Sequence, residues 1–254
     1  YYYHYDLQLA PTPTGMALHC GLWCHSVLNQ FFSTLSPAQK TQFATDPTEL
    51  AADLYACAHA YEPPDMPAYI TDYARHRWDK PAGTAFLAGF ADLPGYIPLY
   101  SEYKFNAVPV HAEVTARGSI DLILQHQTDN TLILIDFKTG ATLPTKTAVA
   151  QGAHSQLPLY CWALTQAGYR VASALYWPLF RDAPPAVFLA TDSSPLPRQR
   201  PILLTPAFWS GITQVWAQLI TGIQTKQYAV PADITAQHCR LCPYRLVCDG
   251  ARLS

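Results

Sequence analysis

Two neighbouring stretches of sequence decide the fold of this chain: Gly118-Ser-Ile-Asp121 and Leu132-Ile-Leu-Ile-Asp136-Phe-Lys138-Thr-Gly140. Asp121 interrupts one apolar run, and Asp136 with Lys138 ends the next, whose β-branched residues are typical of a buried strand. Because residues two apart on a strand share a face, we expect Asp136 and Lys138 to point into one pocket. Two carboxylates and a lysine in such a pocket can hold a divalent metal against a phosphodiester, which predicts a hydrolytic site.

The residues around these runs support the same site. Turn-forming residues, Thr128-Asp-Asn-Thr131, lie between the runs and predict a hairpin that brings the acids together. Downstream, Gln156-Leu-Pro-Leu-Tyr160 opens a helix that we expect to end at Gly168. Gln156 and Tyr160 are four residues apart and so lie on one helical face. Taken alone, a D-x-K triplet is most often a strand-end ion pair, so the prediction rests on the combination.

The order of periodic segments predicts an α/β fold. At 254 residues, with 50% of them hydrophobic and 13% charged, the chain can bury a large core. We expect a helical N-terminal part (1–95), a catalytic sheet with a helix (96–180) and a C-terminal helix with a cysteine tail (181–254), forming one domain over 1–254. Within the last part, residues 186–190 are a candidate edge strand.

Charge and composition limit the possible surroundings of the protein. The net charge of −2 is unlike that of a free-standing nucleic-acid binder, so any DNA-binding face must be a local cluster. No apolar stretch approaches the length of a membrane span and no signal peptide is visible, so we expect no membrane contact. Seven cysteines are an odd number, which argues against a disulfide framework and predicts a reducing cytoplasm.

Three of the cysteines, Cys239, Cys242 and Cys248, cluster in a polar, arginine-containing tail. Thiolates spaced so closely are typical of a metal or iron–sulfur site. The alternative to an iron–sulfur cluster is a zinc ion with a histidine as its fourth ligand. Cys57 and Cys161 lie in apolar helical patterns and are expected to be small core residues.

The chain resembles the RecB-type PD-(D/E)XK nucleases, specifically their iron–sulfur branch. The resemblance is carried by the order of motifs: a histidine, G-x-x-D, D-x-K-T-G, Q-x-x-x-Y and finally C-x2-C-x5-C. The C-terminal nuclease domain of AddB-type subunits of double-strand-break repair helicase–nucleases is most similar. The resemblance implies a restriction-endonuclease-like core, with a mixed central sheet flanked by helices and an N-terminal helical elaboration.

By this resemblance, each motif residue has an expected role. Asp121 and Asp136 match the metal-binding acids, and the carbonyl of Phe137 matches a backbone metal ligand. The catalytic residues would be Lys138, which matches the catalytic lysine, together with Gln156 and Tyr160, the motif that supports the site and the DNA. The cluster ligands would be Cys239, Cys242 and Cys248.

The upstream histidine of the family has two candidates. His25 follows Gly21 in the family's G-x-x-x-H spacing and precedes helical Leu and Phe residues. His19 has the same spacing after Gly15 and is the alternative. We take His25 as the metal ligand.

The family also has a fourth cluster cysteine, placed upstream of an aromatic-rich helix. Tyr1-Tyr-Tyr-His-Tyr-Asp-Leu-Gln-Leu9 resembles the remainder of that helix and has no initiator Met before it. We therefore expect a fragment of a longer protein, in which the fourth cysteine precedes Tyr1 and the [4Fe–4S] cluster of this chain is incomplete. Cys20 and Cys24 could substitute, but their helix is expected to face the core.

The resemblance implies a Mg²⁺- or Mn²⁺-dependent deoxyribonuclease of the exonuclease type. Its substrate would be DNA, in single-stranded form, and its partner would be a subunit of a helicase–nuclease complex. Two alternatives stay open: an iron–sulfur exonuclease of the CRISPR-adaptation type, and a non-catalytic DNA-binding or scaffolding domain with a nuclease-like fold.

Overall fold

A computed structural model describes most of the chain. The described ranges are 16–63, 66–140, 143–179, 186–192 and 200–227. The α-helices, in chain order, are α1 (Met16–Thr34), α2 (Pro37–Thr45), α3 (Ala51–Ala60), α4 (Ala68–Arg77), α5 (Lys80–Ala88), α6 (Lys146–Ala150), α7 (Gln156–Gln166) and α8 (Pro206–Gln224). The strands are β1 (Tyr96–His111), β2 (Val114–His126), β3 (Leu132–Lys138), β4 (Val171–Pro178), β5 (Ala186–Ala190) and β6 (Ile202–Leu203).

The six strands form one mixed sheet in the order β1-β2-β3-β4-β5-β6. Strand β3 lies in the middle, antiparallel to β2 and parallel to β4, and α7 lies between β3 and β4 in the chain. A parallel pair needs such a crossover, whereas β1, β2 and β3 follow one another through short turns. The architecture confirms the predicted mixed α/β sheet with flanking and N-terminal helices.

The central strand is buried on both faces, as its continuous apolar run predicts. On one face, Ile133, Ile135 and Phe137 belong to the hydrophobic cluster that the N-terminal helices form. On the other face, Leu132 and Leu134 pack into the cluster beneath α7. Residues at the carboxyl end of β3 are therefore held between two packed layers.

The N-terminal helices begin where the sequence supplies caps. Ser36 accepts a hydrogen bond from Gln39 N–H, and the Gln39 side chain accepts one from Ser36 N–H, which is a capping box ahead of Pro37. Aromatic rings then join helices and sheet: Phe32 stacks on Phe137 with centroids 6.3 Å apart, and Phe90 stacks on Trp177 at 4.0 Å. The helical layer and the sheet thus share one core.

The predicted elements and the observed ones differ in two places. The first strand, which the period-two pattern of the sequence predicts only over Tyr100–Phe105, runs from Tyr96 to His111 and contains several register shifts against β2. The candidate edge strand at 186–190 is not at the edge, because β6 pairs with it on its outer side. A strand of two residues, as in β6, leaves too weak a sequence signal to be predicted.

The described cysteines lie in helices. Cys161 is fully buried beneath the sheet and Cys57 is half-buried against the N-terminal core, which agrees with their prediction as core residues. Cys20 and Cys24 are also buried in the N-terminal cluster, and Trp78 Nε1 donates a hydrogen bond to Cys24 Sγ. Both therefore face the core as expected. The cluster cysteines Cys239, Cys242 and Cys248, like residues 1–9, lie outside the described ranges.

Among the helices that the structure describes, none combines the length and apolar character that a bilayer crossing would require.

A glycine substitution tests the contact between the helical layer and the sheet. A Cβ atom at Gly89 would lie 2.7 Å from the buried Trp177 ring, so Gly89→Ala is expected to lower the free energy of unfolding by about 1–3 kcal/mol through overpacking. The exposed Gly211 of α8 has nothing within 4 Å of such an atom, so Gly211→Ala is expected to raise it by about 0.5–1 kcal/mol. Urea unfolding of both variants measures the difference, and equal effects would contradict the packing described here.

Candidate active site

Backbone pairing between β2 and β3 ends at the two acids. The last backbone pair is Leu122 with Ile135, and the next residues along the strands are Asp121 and Asp136. Beyond that pair, the Asp121 carboxylate takes over as the acceptor, because its Oδ2 receives the N–H of Phe137 at 2.7 Å. The hairpin predicted from the turn residues therefore brings both acids to one end of the central strands.

Asp136 is a buried acid that is paired with a lysine. Its side chain is only 2% exposed, and its Oδ2 lies 2.5 Å from Lys138 Nζ. The two side chains therefore form a buried ion pair, in which the ammonium group offsets part of the carboxylate charge. Burial, together with the nearby Asp121 charge, raises the pKa of Asp136 to about 7, while Lys138 and His25 act in the opposite direction.

Lys138 is held from two sides. Besides facing Asp136, its Nζ donates a hydrogen bond to Gln156 Oε1 at 2.8 Å. Gln156 Nε2 in turn donates to Tyr160 Oη at 2.9 Å, so the two residues that share a face of α7 also form one chain of hydrogen bonds. The Tyr176 ring lies 5.1 Å from the ammonium group and adds a cation–π contact. The ammonium group therefore has a fixed position above the acids.

The glycine of the G-x-x-D motif makes room for an aromatic contact. A Cβ atom at Gly118 would lie 2.6 Å from the Phe105 ring on the neighbouring strand. Phe105 packs edge-on against Tyr160, with ring centroids 6.0 Å apart. Gly118 thus lets the β1–β2 pair approach the helix that carries Gln156 and Tyr160.

His25 comes from the N-terminal layer. Its Nδ1 lies 3.4 Å from Asp121 Oδ2, and α1 reaches the loop after β3 closely enough that a Cβ atom at Gly21 would meet Thr139 Oγ1 at 3.0 Å. Burial lowers the pKa of His25, but the hydrogen bond and charge of Asp121, followed by the charges of Asp136 and Glu102, outweigh burial and raise it. The alternative histidine, His19, is not among the described residues whose ligand atoms lie close to Asp121.

Glu102 is a site residue that the sequence analysis missed. It lies on β1, where Ser119 Oγ donates a hydrogen bond to its Oε2 at 2.7 Å. Ligand atoms of His25, Glu102 and Asp121 all lie within 4.8 Å of one another. In sequence, Glu102 falls at a polar position of an alternating strand, and nothing in that pattern separates it from a solvent-facing residue.

These side chains line one open cleft of about 410 Å³ between α1 and the carboxyl end of β3. Carboxylate oxygens suit hard divalent cations such as Mg²⁺ and Mn²⁺. The carboxylates of Glu102, Asp121 and Asp136 line the cleft, and Lys138 is the one ammonium group among the lining residues, so a divalent cation would offset the excess negative charge. The residues present therefore fit a divalent metal.

The predicted site residues are distributed as follows. The structure brings together His25, Asp121, Asp136, Phe137, Lys138 and Gln156 around the cleft, with Tyr160 hydrogen-bonded behind Gln156. The ring of Phe137 is buried, and the ligand role of its carbonyl stays a prediction. The chemical roles of the other residues are likewise predictions at this point.

Three comparisons with known proteins bear on this geometry. The profile of the family described as "PD-(D/E)XK nuclease superfamily" matches residues 1–249. A search of curated proteins found none that matches. Among solved structures, one titled "Crystal structure of SSO0001" is similar over 90% of this chain and 95% of its own, at 14% identity and a TM-score of 0.34.

The raised pKa of Asp136 predicts a pH-dependent stability in metal-free buffer. A carboxyl group whose pKa is higher in the folded than in the unfolded state favours folding below its unfolded pKa, and this contribution is lost as pH rises through about 7. Asp136→Asn removes the titration, so its free energy of unfolding relative to wild type should rise by on the order of a few kcal/mol between pH 4 and pH 8. Thermal unfolding with a chelator present measures the difference.

Asp129 offers a control of opposite sign. Hydrogen bonds from Thr131 hold the pKa of this exposed acid below its usual value, so it stabilises the fold at high pH rather than at low pH. Asp129→Asn should therefore lose stability relative to wild type as pH rises to about 4, and its stability relative to wild type should change little between pH 4 and pH 8, where Asp129 is ionised in both states. The same trend in both variants would contradict the burial argument for Asp136.

Proposed function

Because the chain belongs to the PD-(D/E)XK nuclease superfamily, we propose that it is a metal-dependent nuclease that hydrolyses phosphodiester bonds of DNA. One observation carries the proposal: a histidine, two acids and a lysine from three separate elements meet in a single cleft. A strand-end ion pair alone would need only Asp136 and Lys138. Asp121 accepts the N–H of Phe137, but the ion pair does not require His25 beside it, and the three side chains together suit a cation site.

The residues divide into ligands and a charged group facing substrate. His25, Asp121, Asp136 and the Phe137 carbonyl would hold Mg²⁺ or Mn²⁺. Such an ion supplies Lewis-acid polarisation of the phosphate and activates a water for attack. Lys138 would offset the charge that develops on the phosphate and help to orient that water, and its ammonium group is held in place by Asp136 and Gln156. Tyr160 fixes the Gln156 amide in the orientation that accepts from Lys138.

We further propose that the chain is one domain of the AddB-type, iron–sulfur branch, acting as an exonuclease on single-stranded DNA in a cytoplasmic helicase–nuclease complex for double-strand-break repair. The motif order and the C-terminal cysteine spacing support this assignment. A net charge of −2 also suits a domain that receives its strand from a partner rather than capturing DNA alone.

The catalytic assignment predicts different defects for Asp136 and Lys138. Asp136→Ala should lose divalent-metal binding and DNA cleavage together, because too few hard ligands remain. Lys138→Ala should keep most metal binding but reduce cleavage by roughly 100-fold or more, since it removes charge stabilisation in the transition state. Calorimetric titration with Mn²⁺ and cleavage of a labelled single strand measure the two effects.

Asp92→Ala serves as the matched control, because Asp92 is an exposed acid outside the cleft. It should match wild type in both assays. Wild-type cleavage by Asp136→Ala would refute the assignment, and metal binding without any cleavage by wild type would favour the scaffolding alternative.

The cysteine assignment predicts iron in the full-length protein. Purified without oxygen, it should be brown and contain about four irons per cluster, and Cys242→Ala should be colourless and less stable to heat. Cys57→Ala, at a half-buried core position, should keep its iron. Stoichiometric zinc without iron would remove the iron–sulfur proposal while leaving the nuclease site untouched.

A further inference from the structure

We propose that the mouth of the cleft binds a single strand of DNA by both of its edges, with phosphates on the β1–β2 hairpin and unpaired bases on α1. The phosphate contacts are Lys104 and Arg117, and the base contacts are Leu18 and Leu22. This inference rests on the proposed function, because it concerns the substrate of the same site. It assigns the distinction between a single strand and a duplex to the surface around the cleft.

The β1–β2 hairpin extends past the rest of the sheet. Pairing of β2 with β3 ends at Leu122, whereas its pairing with β1 continues as far as Val114. One face of this arm is covered, because Phe105 and Val108 pack into the hydrophobic cluster beneath α7. Side chains at the alternate positions of the two strands point away from α7.

Two cations lie on this second face, beside the cleft. Lys104 pairs with Ser119, whose hydroxyl donates a hydrogen bond to the cleft residue Glu102. Arg117 is two residues from Ser119 and therefore shares its face, about 7 Å farther along the arm. Both cationic side chains are exposed, and neither forms an ion pair with the described residues. Their charges are therefore available to the phosphates of a strand that enters the cleft.

The cleft itself gives these two cations a purpose. It contains the carboxylates of Glu102, Asp121 and Asp136, and Lys138 is the one ammonium group among its lining residues. A divalent metal would compensate for the phosphate at the site, but the neighbouring phosphates of the same strand would still meet a negative surface. Cations just outside the cleft offset that repulsion.

The α1 side of the cleft has the opposite character. Leu18 and Leu22 line the cleft, although they are 44% and 55% exposed. Together with His25 they occupy positions i, i+4 and i+7 of α1, so one helical face carries both the apolar pair and the expected metal ligand. Exposed apolar side chains at a cleft mark a contact surface for an apolar group. In DNA the apolar groups are the faces of the bases, and leucine is among the residues that insert between them.

A single strand matches this two-sided surface better than a duplex does. In a duplex the base faces are covered by stacking and phosphates lie along both strands, so a leucine reaches a base face only after unstacking. An unpaired strand presents its base faces on one edge and its phosphates on the other. Leu18 and Leu22 then contact bases, while Lys104 and Arg117 contact the backbone.

The test is binding of a fluorescent oligothymidylate to the whole chain at low salt, measured by anisotropy with a chelator present so that no cleavage occurs. Lys104→Gln and Arg117→Gln should each weaken binding by about 3- to 10-fold and reduce the slope of log affinity against log salt by about 0.7–1. Leu22→Ser should weaken binding of the oligothymidylate by about 5-fold and leave binding of an abasic strand of equal length unchanged.

Arg170→Gln and Leu219→Ser are the matched controls. Arg170 is exposed, and its carbonyl accepts the N–H of Leu132 at the amino end of β3, which is the end away from the cleft. Leu219 of α8 is as exposed as Leu22, at 55%, and is not a cleft residue. Both variants should bind the two strands as wild type does.

Two results would each overturn the inference: wild-type affinity and salt slope in both hairpin variants, or a wild-type preference of Leu22→Ser for the oligothymidylate over the abasic strand. The substituted side chains are exposed, so the variants should unfold at the wild-type temperature. Mn²⁺-dependent cleavage by wild type is measured separately. Cleavage alongside hairpin variants that bind normally leaves the proposed function standing, whereas the expected binding pattern without cleavage ends the nuclease proposal and keeps the strand-binding surface.

Discussion

Burying the Asp136 carboxylate between two hydrophobic layers costs free energy unless a positive charge offsets its negative charge. The positions of its polar neighbours follow from this constraint. Lys138 matches part of the charge from the same strand face. Its ammonium group is shared with Gln156, however, and the facing Asp121 adds a second negative charge. The protein alone leaves the site negative, and this imbalance makes it receptive to a cation.

The N-terminal helices contribute to the same cleft as the sheet. His25 lies beside Asp121 because α1 packs on the sheet, and the ring stack of Phe32 on Phe137 is one of the contacts that hold it there. Phe32 lies about two turns along the helix from His25, and Phe137 follows Asp136 directly. This aromatic contact therefore helps to set the distance between His25 on the helix and Asp136 on the strand. A change in the packing of this core should therefore alter the cleft without touching any polar residue.

The sequence predicts those parts of the structure that depend on residues close together in the chain, and it predicts long-range placement less well. The β2–β3 hairpin and α7 follow from periodicity and turn residues, and they place Asp121, Asp136 and Gln156 correctly in the fold. His19 and His25 are six residues apart, so they lie roughly 120° apart around one helix and cannot both face the cleft. The sequence does not say which of the two faces it, and the structure is needed for that. Glu102 could not be found at all, because a left-handed residue without glycine or asparagine leaves no mark in the sequence.

The hydrogen bond from Phe137 N–H to Asp121 makes the chemical shift of this amide proton sensitive to the charge of the cleft. The Phe137 amide lies just beyond the last backbone pair between β2 and β3. Its hydrogen-bond acceptor is the Asp121 carboxylate rather than a backbone carbonyl. Anything that draws electron density from that carboxylate weakens it as an acceptor and shifts the amide resonance. The nuclear magnetic resonance signal of one backbone proton in the core thus registers the electrostatic state of the cleft, with no label or substrate needed.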